Sequence, residues 1–186
     1  MSAADVPGRP PADPPPLLLE HDFGEERLVV QGDPEGRVSG QAFADARYGD
    51  VIVDAVLSLE QGSDHDGYGL FVRQATADRY AAFIASPTGA ASILLLDDAP
   101  LQVAGGEIPE SFPFNRGLGA RNRFSIVACG PMLVAFVNGA ALTAANVDER
   151  YAEGFAGALL VPGGPGGPGI ERSAAVDWVQ IRAPLP

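Results

Sequence analysis

Residues 123–142, RFSIVACGPMLVAFVNGAAL, decide the fold class because two apolar runs in them are each followed by a turn signal. Gly130–Pro131 ends the first run, since proline cannot donate to a sheet ladder and glycine adopts backbone angles that other residues avoid. Asn138–Gly139 ends the second run, and Asn-Gly is the strongest short-range signal for a tight β-hairpin. The stretch therefore predicts three antiparallel strands and an all-β chain.

Alternating apolar and polar residues between turn signals extend this pattern along the chain. The clearest case is 51–59, where the odd-numbered residues from Val51 to Leu59 are all apolar and should face the core. Gly105–Gly106, in contrast, is interpreted as part of a loop. Strands at this spacing, without a long helical period, predict an antiparallel jelly-roll β-sandwich. The predicted strands lie at 27–31, 38–43, 51–59, 68–73, 80–85, 92–96, 123–129, 132–137, 155–160 and 175–182.

The length of 186 residues suits a single sandwich domain, which we place at residues 17–186. Residues 1–16, MSAADVPGRPPADPPP, predict a disordered Pro-rich tail or an interdomain linker. They lack the basic start and apolar stretch of a signal peptide. We therefore expect a cytoplasmic protein, or an extracellular domain if the chain is part of a longer protein.

The charge balance restricts the partners. The chain has 24 acidic residues against 12 arginines and no lysine, for a net charge of −12. This argues against nucleic acid and anionic membranes, which need a basic surface, and no apolar stretch approaches the ~20 residues of a membrane helix. A neutral ligand, a cation or a basic protein partner remains possible. The single cysteine, Cys129, is interpreted as a small buried hydrophobe.

The motifs between Asp22 and Arg182 follow the order found in a known fold family. In that order they resemble concanavalin A-like lectin/glucanase domains, and most closely the 3-keto-disaccharide hydrolase branch, which is similar to family 16 glycoside hydrolases. The resemblance implies a jelly-roll sandwich that binds or acts on carbohydrate. The motifs are DF (22–23), YGDVIVDAVLSLEQG (48–62), GYGLFVRQ (67–74), DRYAAFIASPTG (78–89), ARNRFSIVACGPMLVAFVNGAAL (120–142), Asp148 with Tyr151 and the glycines of 154–157, and Val176–Asp177.

One departure from the family concerns catalysis. Family 16 hydrolases carry an E-x-D-x-E strand that is missing here, and retaining glycosidases need two carboxyls about 5 Å apart. The remaining catalytic candidates are Asp64, Asp66 and Asp177, with Arg73 orienting a substrate. The chain is therefore interpreted first as a non-catalytic lectin-like binding module. The alternatives are a sugar-active hydrolase and a structural or protein-interaction domain.

The stretch Asp64–His65–Asp66 lies between two predicted strands. Its carboxylates are candidate ligands for Ca²⁺, which takes six to eight hard oxygen ligands. The alternative is a solvated acidic turn that ends at Gly67. Because His21 and His65 are the only histidines, no transition-metal cofactor is expected.

Four residues are candidates for ligand binding. If the strands of Arg73 and Tyr80 form a hairpin, the two side chains could present a cation and an aromatic ring on one face, as carbohydrate sites do. The alternative for Arg73 is an ion pair with a carboxylate such as Asp54 or Asp177. Trp178 shares a strand face with Gln180 and Arg182 and is either a sugar platform or a cover for the edge of the core. The fourth candidate is Tyr68.

Overall fold

A computed structural model describes residues 17–24, 27–97, 99–163 and 170–184 of the chain, and the tail predicted at 1–16 lies outside them. In these residues the chain forms thirteen strands and one short 3₁₀ helix, Glu149–Tyr151. The strands are β1 (Leu17–Asp22), β2 (Leu28–Gln31), β3 (Ser39–Ala42), β4 (Val51–Gln61), β5 (Gly67–Thr76), β6 (Arg79–Ala85), β7 (Ala90–Asp97), β8 (Ala99–Glu107), β9 (Asn122–Cys129), β10 (Met132–Val137), β11 (Ala140–Asn146), β12 (Phe155–Val161) and β13 (Ser173–Arg182).

The strands form two antiparallel sheets, as the jelly-roll prediction requires. Sheet A has the order β1-β13-β4-β9-β10-β11, with β2 also paired to β13. Sheet B has the order β3-β12-β5-β6-β7-β8. The predicted β-sandwich is confirmed.

The core lies between the two sheets. The odd-numbered residues from Val51 to Leu59 are all buried, so the predicted inner face of β4 is confirmed. Tyr68 and Phe83 of sheet B pack against Phe124 of sheet A, with ring centroids 5.2 and 5.7 Å apart. Fully buried aromatic rings such as these contribute a large share of the core's apolar area.

The stretch at 123–142 forms β9, β10 and β11, so three strands do lie there, joined by turns with positive φ at Gly130 and at Asn138–Gly139. The predictions for Cys129 and for Gly105–Gly106 were wrong. Cys129 is exposed, because β9 ends at this residue and alternation points it away from buried Ala128. Gly105–Gly106 is not a loop but part of β8, where pairing with Ser92 and Ala91 of β7 outweighs the weak strand propensity of glycine.

An irregularity in β5 decides which side chains point out of sheet B. Arg73 has a φ of +56°, the left-handed region that a residue with a Cβ seldom adopts, and the pairing register of β5 shifts on both sides of it. Phe71 lies on the outer side and Val72 in the core, so plain alternation would place Arg73 outside. The bulge instead turns Arg73 inward and brings Gln74 to the outer face.

The described residues contain no helix long and apolar enough to cross a membrane.

Candidate functional site

Arg73 lies at one end of the sandwich and not on an outer face. Its guanidinium donates from Nε to the carbonyl of Gly49 at 2.9 Å and from Nη1 to the carbonyl of Gly130 at 2.8 Å, and it pairs with Asp50 at 3.3 Å. Burial lowers the pKa of Arg73, and Asp50 offsets part of that effect. The predicted pair with Tyr80 does not form. The alternative, an ion pair with a carboxylate, does form, but with Asp50 and not with Asp54 or Asp177. The left-handed backbone at Arg73 explains the missing contact with Tyr80, and Asp54 and Asp177 are bonded to other arginines on sheet A.

Tyr68 and Trp178 are also kept apart from Tyr80. Tyr68 is fully buried in the core, where Asn122 donates to its hydroxyl at 3.2 Å and burial raises its pKa to about 12. Trp178 lies on the outer face of sheet A, half-buried, with the Arg123 guanidinium 5.4 Å from the ring centroid. A protein cation thus already stacks on this ring. The four predicted ligand-binding residues do not form one site.

Asp66 is committed to a buried ion pair. Its carboxylate accepts from Arg172 Nε at 2.9 Å and from the backbone amides of Ser63 and Gly163 at 2.7 and 2.8 Å, and its side chain has no exposed area. Asp64 is exposed in the same loop, 3.7 Å from the His65 ring. The two carboxylates therefore do not face one cleft, and Asp66 can bind Ca²⁺ only if the pair with Arg172 breaks. The described residues include no group of three His, Cys, Asp or Glu side chains that could hold a metal ion.

Asp177, the third catalytic candidate, is held between two arginines on sheet A. Arg27 donates to one carboxylate oxygen, and Arg121 donates to the other at 2.7 Å. Burial on its own would raise the pKa of Asp177, but the hydrogen bonds and charges of the two arginines outweigh it and hold the pKa below the ordinary value. A carboxylate bonded in this way is a poor general acid.

This lowered pKa predicts a loss of stability in acid. Ionised Asp177 contributes to stability above the ordinary aspartate pKa of about 3.9, and the contribution falls as the pH drops through the lower folded-state value. The unfolding free energy of the wild-type protein should therefore fall more steeply below about pH 4 than that of Asp177→Asn. Urea titrations at a series of pH values measure the difference. Parallel curves would show that the Arg27–Asp177–Arg121 cluster adds nothing.

Tyr80 does line a cavity on the outer face of sheet B. This cavity, the Tyr80 pocket, has a volume of about 190 Å³. Phe71 packs beside Tyr80 with ring centroids 5.9 Å apart, and neither the Tyr80 hydroxyl nor the Gln74 amide bonds to a residue that the structure describes. The lining residues are Val38, Gly40, Phe71, Gln74, Ala77, Tyr80 and Leu159.

Gly157 and, to a smaller extent, Gly40 leave room for the Phe71 ring beside the Tyr80 pocket. A Cβ on Gly157 of β12 would lie 2.5 Å from Cζ of Phe71, and a Cβ on Gly40 of β3 would lie 3.4 Å from Cε1. Their missing side chains let the Phe71 ring lie close against the neighbouring strands. Burial raises the pKa of Tyr80 to about 12, with the nearby Asp78 charge acting in the same direction. Tyr80 is therefore a neutral hydrogen-bond donor at physiological pH.

A second and larger cavity, the His65 groove, lies at the opposite end of β5. It has a volume of about 480 Å³ and mixes apolar residues with hydroxyl, carboxylate and imidazole side chains. Its residues are His65, Gly67, Ile84, Ala85, Ser86, Thr88, Ala90, Ala91, Ser92, Glu107, Val161 and Gly163. Of the predicted loop residues 64–66, His65 alone reaches this cavity.

Sequence reasoning identified Tyr80 but missed Gln74 and Phe71. Phe71 follows Gly67 and Gly69 at alternate positions of one strand. Because glycine has no side chain, an aromatic residue on such a strand face indicates a depression beside the ring. Nothing in the sequence marks Gln74, because its position depends on the bulge at Arg73.

No protein-family model matches the chain, and no curated protein matches it. Solved structures do match its fold. The carbohydrate-binding module CBM66 from Bacillus subtilis superposes with a TM-score of 0.65 at 13% identity, covering 88% of this chain and 95% of the module. Alginate lyase A1-II', of polysaccharide lyase family 7, gives 0.61 at 8% identity, with 89% and 84% covered. The catalytic domain of a laminarinase, an endo-1,3-β-glucanase from Thermotoga petrophila, gives 0.57 at 11% identity, with 87% and 79% covered.

The chain thus has the jelly-roll fold of these carbohydrate-binding, lyase and glycosidase domains. At such low identity the likeness establishes the fold alone, because one fold carries many functions.

Proposed function

We propose that this protein is a carbohydrate-binding module that holds a neutral sugar in the Tyr80 pocket. The observation that carries the proposal is the pairing of two aromatic rings with a hydroxyl and an amide that no described residue engages. A sugar ring presents C–H bonds to an aromatic face and hydroxyls to planar polar groups. Phe71 and Tyr80 are 2% and 4% exposed, so they would supply the first kind of contact only through the small part of each ring that lines the pocket, and Gln74 and the Tyr80 hydroxyl would supply the second.

A neutral sugar is favoured over a polyuronate such as alginate. The chain carries a net charge of −12, and the described residues that line the Tyr80 pocket include no arginine to neutralise a sugar carboxylate. A polyanion would be repelled by the overall charge and would meet no cation in the pocket.

Binding without hydrolysis is favoured over the 3-keto-disaccharide hydrolase activity that the sequence resemblance implies. Asp66 is paired with Arg172, Asp177 is held between two arginines, and Asp64 lies in a loop at the far end of β5 from the Tyr80 pocket. A retaining glycosidase needs two carboxyls about 5 Å apart on either side of the scissile bond. These three acids do not provide such a pair at the pocket.

The test is the affinity of Tyr80→Phe for neutral oligosaccharides. Removing the hydroxyl keeps the ring in place and deletes one hydrogen bond, so affinity should fall about fivefold to tenfold. Isothermal titration calorimetry with β-1,3-glucan, xylan and fructan oligosaccharides measures this, with alginate oligosaccharides as the anionic comparison. Tyr48→Phe is the matched control, because Tyr48 is a buried tyrosine of the main core that does not line the pocket.

Wild-type binding to a neutral series that is weakened by Tyr80→Phe and unchanged by Tyr48→Phe supports the proposal. No binding to any of the neutral series, or tighter binding to alginate, overturns it. Release of reducing ends that Asp64→Ala abolishes would show that the chain is an enzyme instead.

A further inference from the structure

A packed cluster of buried apolar residues on the outer side of sheet B connects the Tyr80 pocket to the His65 groove. Phe71, Tyr80, Ala82 and Leu159 form a cluster outside the main core, and half-buried Ile84 and Val161 pack against it. Three of the cluster residues line the Tyr80 pocket, while Ile84 and Val161 line the His65 groove. The two cavities therefore lie at opposite ends of one packed cluster on the outer side of sheet B.

The distance between the two cavities is greater than the length of a single sugar unit. Phe71 lines the pocket and Gly67 lines the groove, and they are four residues apart on β5. At the rise of a β-strand these four residues span about 13 Å, roughly three sugar units. Tyr80 and Ile84 have the same separation on β6, so two neighbouring strands give the same distance.

The His65 groove supplies polar groups suited to sugar hydroxyls. His65 and Glu107 are exposed at its rim, and Ser92 lies on the outer face of β7 opposite Ile84. Together they provide a donor, a charged acceptor and a hydroxyl that does both. Among the residues that the structure describes, His65 is the one aromatic side chain of the groove lining, so its contacts would be mainly hydrogen bonds.

We infer that the ligand is a linear neutral oligosaccharide that lies along β5 and β6, with one sugar in the Tyr80 pocket and a later unit in the His65 groove. This inference rests on the proposed function and adds to it the length and path of the ligand. The pocket then supplies the aromatic contacts, and the groove raises the affinity for chains long enough to reach it.

The test compares two-unit and six-unit members of the neutral β-1,3-glucan and xylan series by calorimetry. The six-unit sugar should bind at least about tenfold more tightly to the wild-type protein. Ser92→Phe places bulk in the groove and should abolish that advantage while leaving the affinity for the two-unit sugar unchanged. Gln102→Phe is the matched control, since Gln102 is exposed on the adjacent strand β8 and lines neither cavity.

A second variant guards against misfolding of Ser92→Phe. The double substitution His65→Ala/Glu107→Ala removes only exposed side chains and should also remove most of the length advantage. Equal affinity for both lengths, or an advantage that survives both groove variants, overturns the inference even if Tyr80→Phe still weakens binding. No binding of either length overturns the proposed function as well.

Discussion

Asp66→Ala should destabilise the protein by about 3–5 kcal/mol, the cost of removing one partner from a buried ion pair. The side chains of Asp66 and Arg172 are 0% and 4% exposed, so the guanidinium that remains keeps its charge with little access to water. The backbone amides of Ser63 and Gly163 lose their acceptor at the same time. Domains of this kind are stable by only about 5–15 kcal/mol, so the loss is a large fraction of the total. Guanidinium unfolding followed by circular dichroism measures it.

Asp64→Ala is the matched control for this prediction. Asp64 is 65% exposed, and its contact is with His65 in the same loop, so its removal should change stability by less than about 0.5 kcal/mol. Replacing both members of the pair, Asp66→Leu with Arg172→Met, should recover much of the loss, because no unpaired charge then remains. A change below about 1 kcal/mol in Asp66→Ala would show that water reaches Arg172.

Local sequence signals predicted the parts of the fold that local chemistry controls. The Asn138–Gly139 turn requires positive φ, and the inner face of β4 follows from strict alternation, so both were visible in the sequence. Strand β8 was not, and β11 was implied only as the partner of β10 across the Asn138–Gly139 turn. They are rich in alanine and glycine, which have weak strand propensity, and they form because β7 and β10 offer them hydrogen-bonding edges.

The candidate site was only partly predictable for a similar reason. Tyr80 was identified as an aromatic residue on an outer strand face, and it does line an outer cavity. Arg73 was assigned to the same face because alternation assumes a regular strand. Its left-handed backbone places Gln74, and not Arg73, on the outer face of sheet B. Arginine is not a residue type that signals such a conformation. The bulge depends on pairing with both β6 and β12, and β12 lies far from β5 in the sequence.

Gly157→Ala should both destabilise the protein and weaken binding in the Tyr80 pocket. The new Cβ would lie 2.1 Å from the carbonyl oxygen of Gln41 on β3 and 2.5 Å from the Phe71 ring. The carbonyl belongs to β3, which pairs with β12, and the ring lines the Tyr80 pocket, so relieving these contacts should disturb both the pairing and the pocket. Overpacking of this kind costs about 1–3 kcal/mol. Thermal unfolding and calorimetry on the folded variant measure the two effects.

Alanine substitutions at two other glycines are the controls for Gly157→Ala. A Cβ on Gly40 meets Phe71 at 3.4 Å, an ordinary contact, and a Cβ on Gly106 meets nothing within 4 Å. Gly40→Ala should therefore have a small effect, and Gly106→Ala should be neutral or stabilising by about 0.5–1 kcal/mol, because alanine loses less backbone entropy in a strand. If all three variants were equally stable, the closeness of Phe71 to β12 would not depend on glycine. If Gly157→Ala lost stability but kept full affinity, the displaced ring would not be part of the binding surface, and the sugar would have to rest on Tyr80 and Gln74 alone.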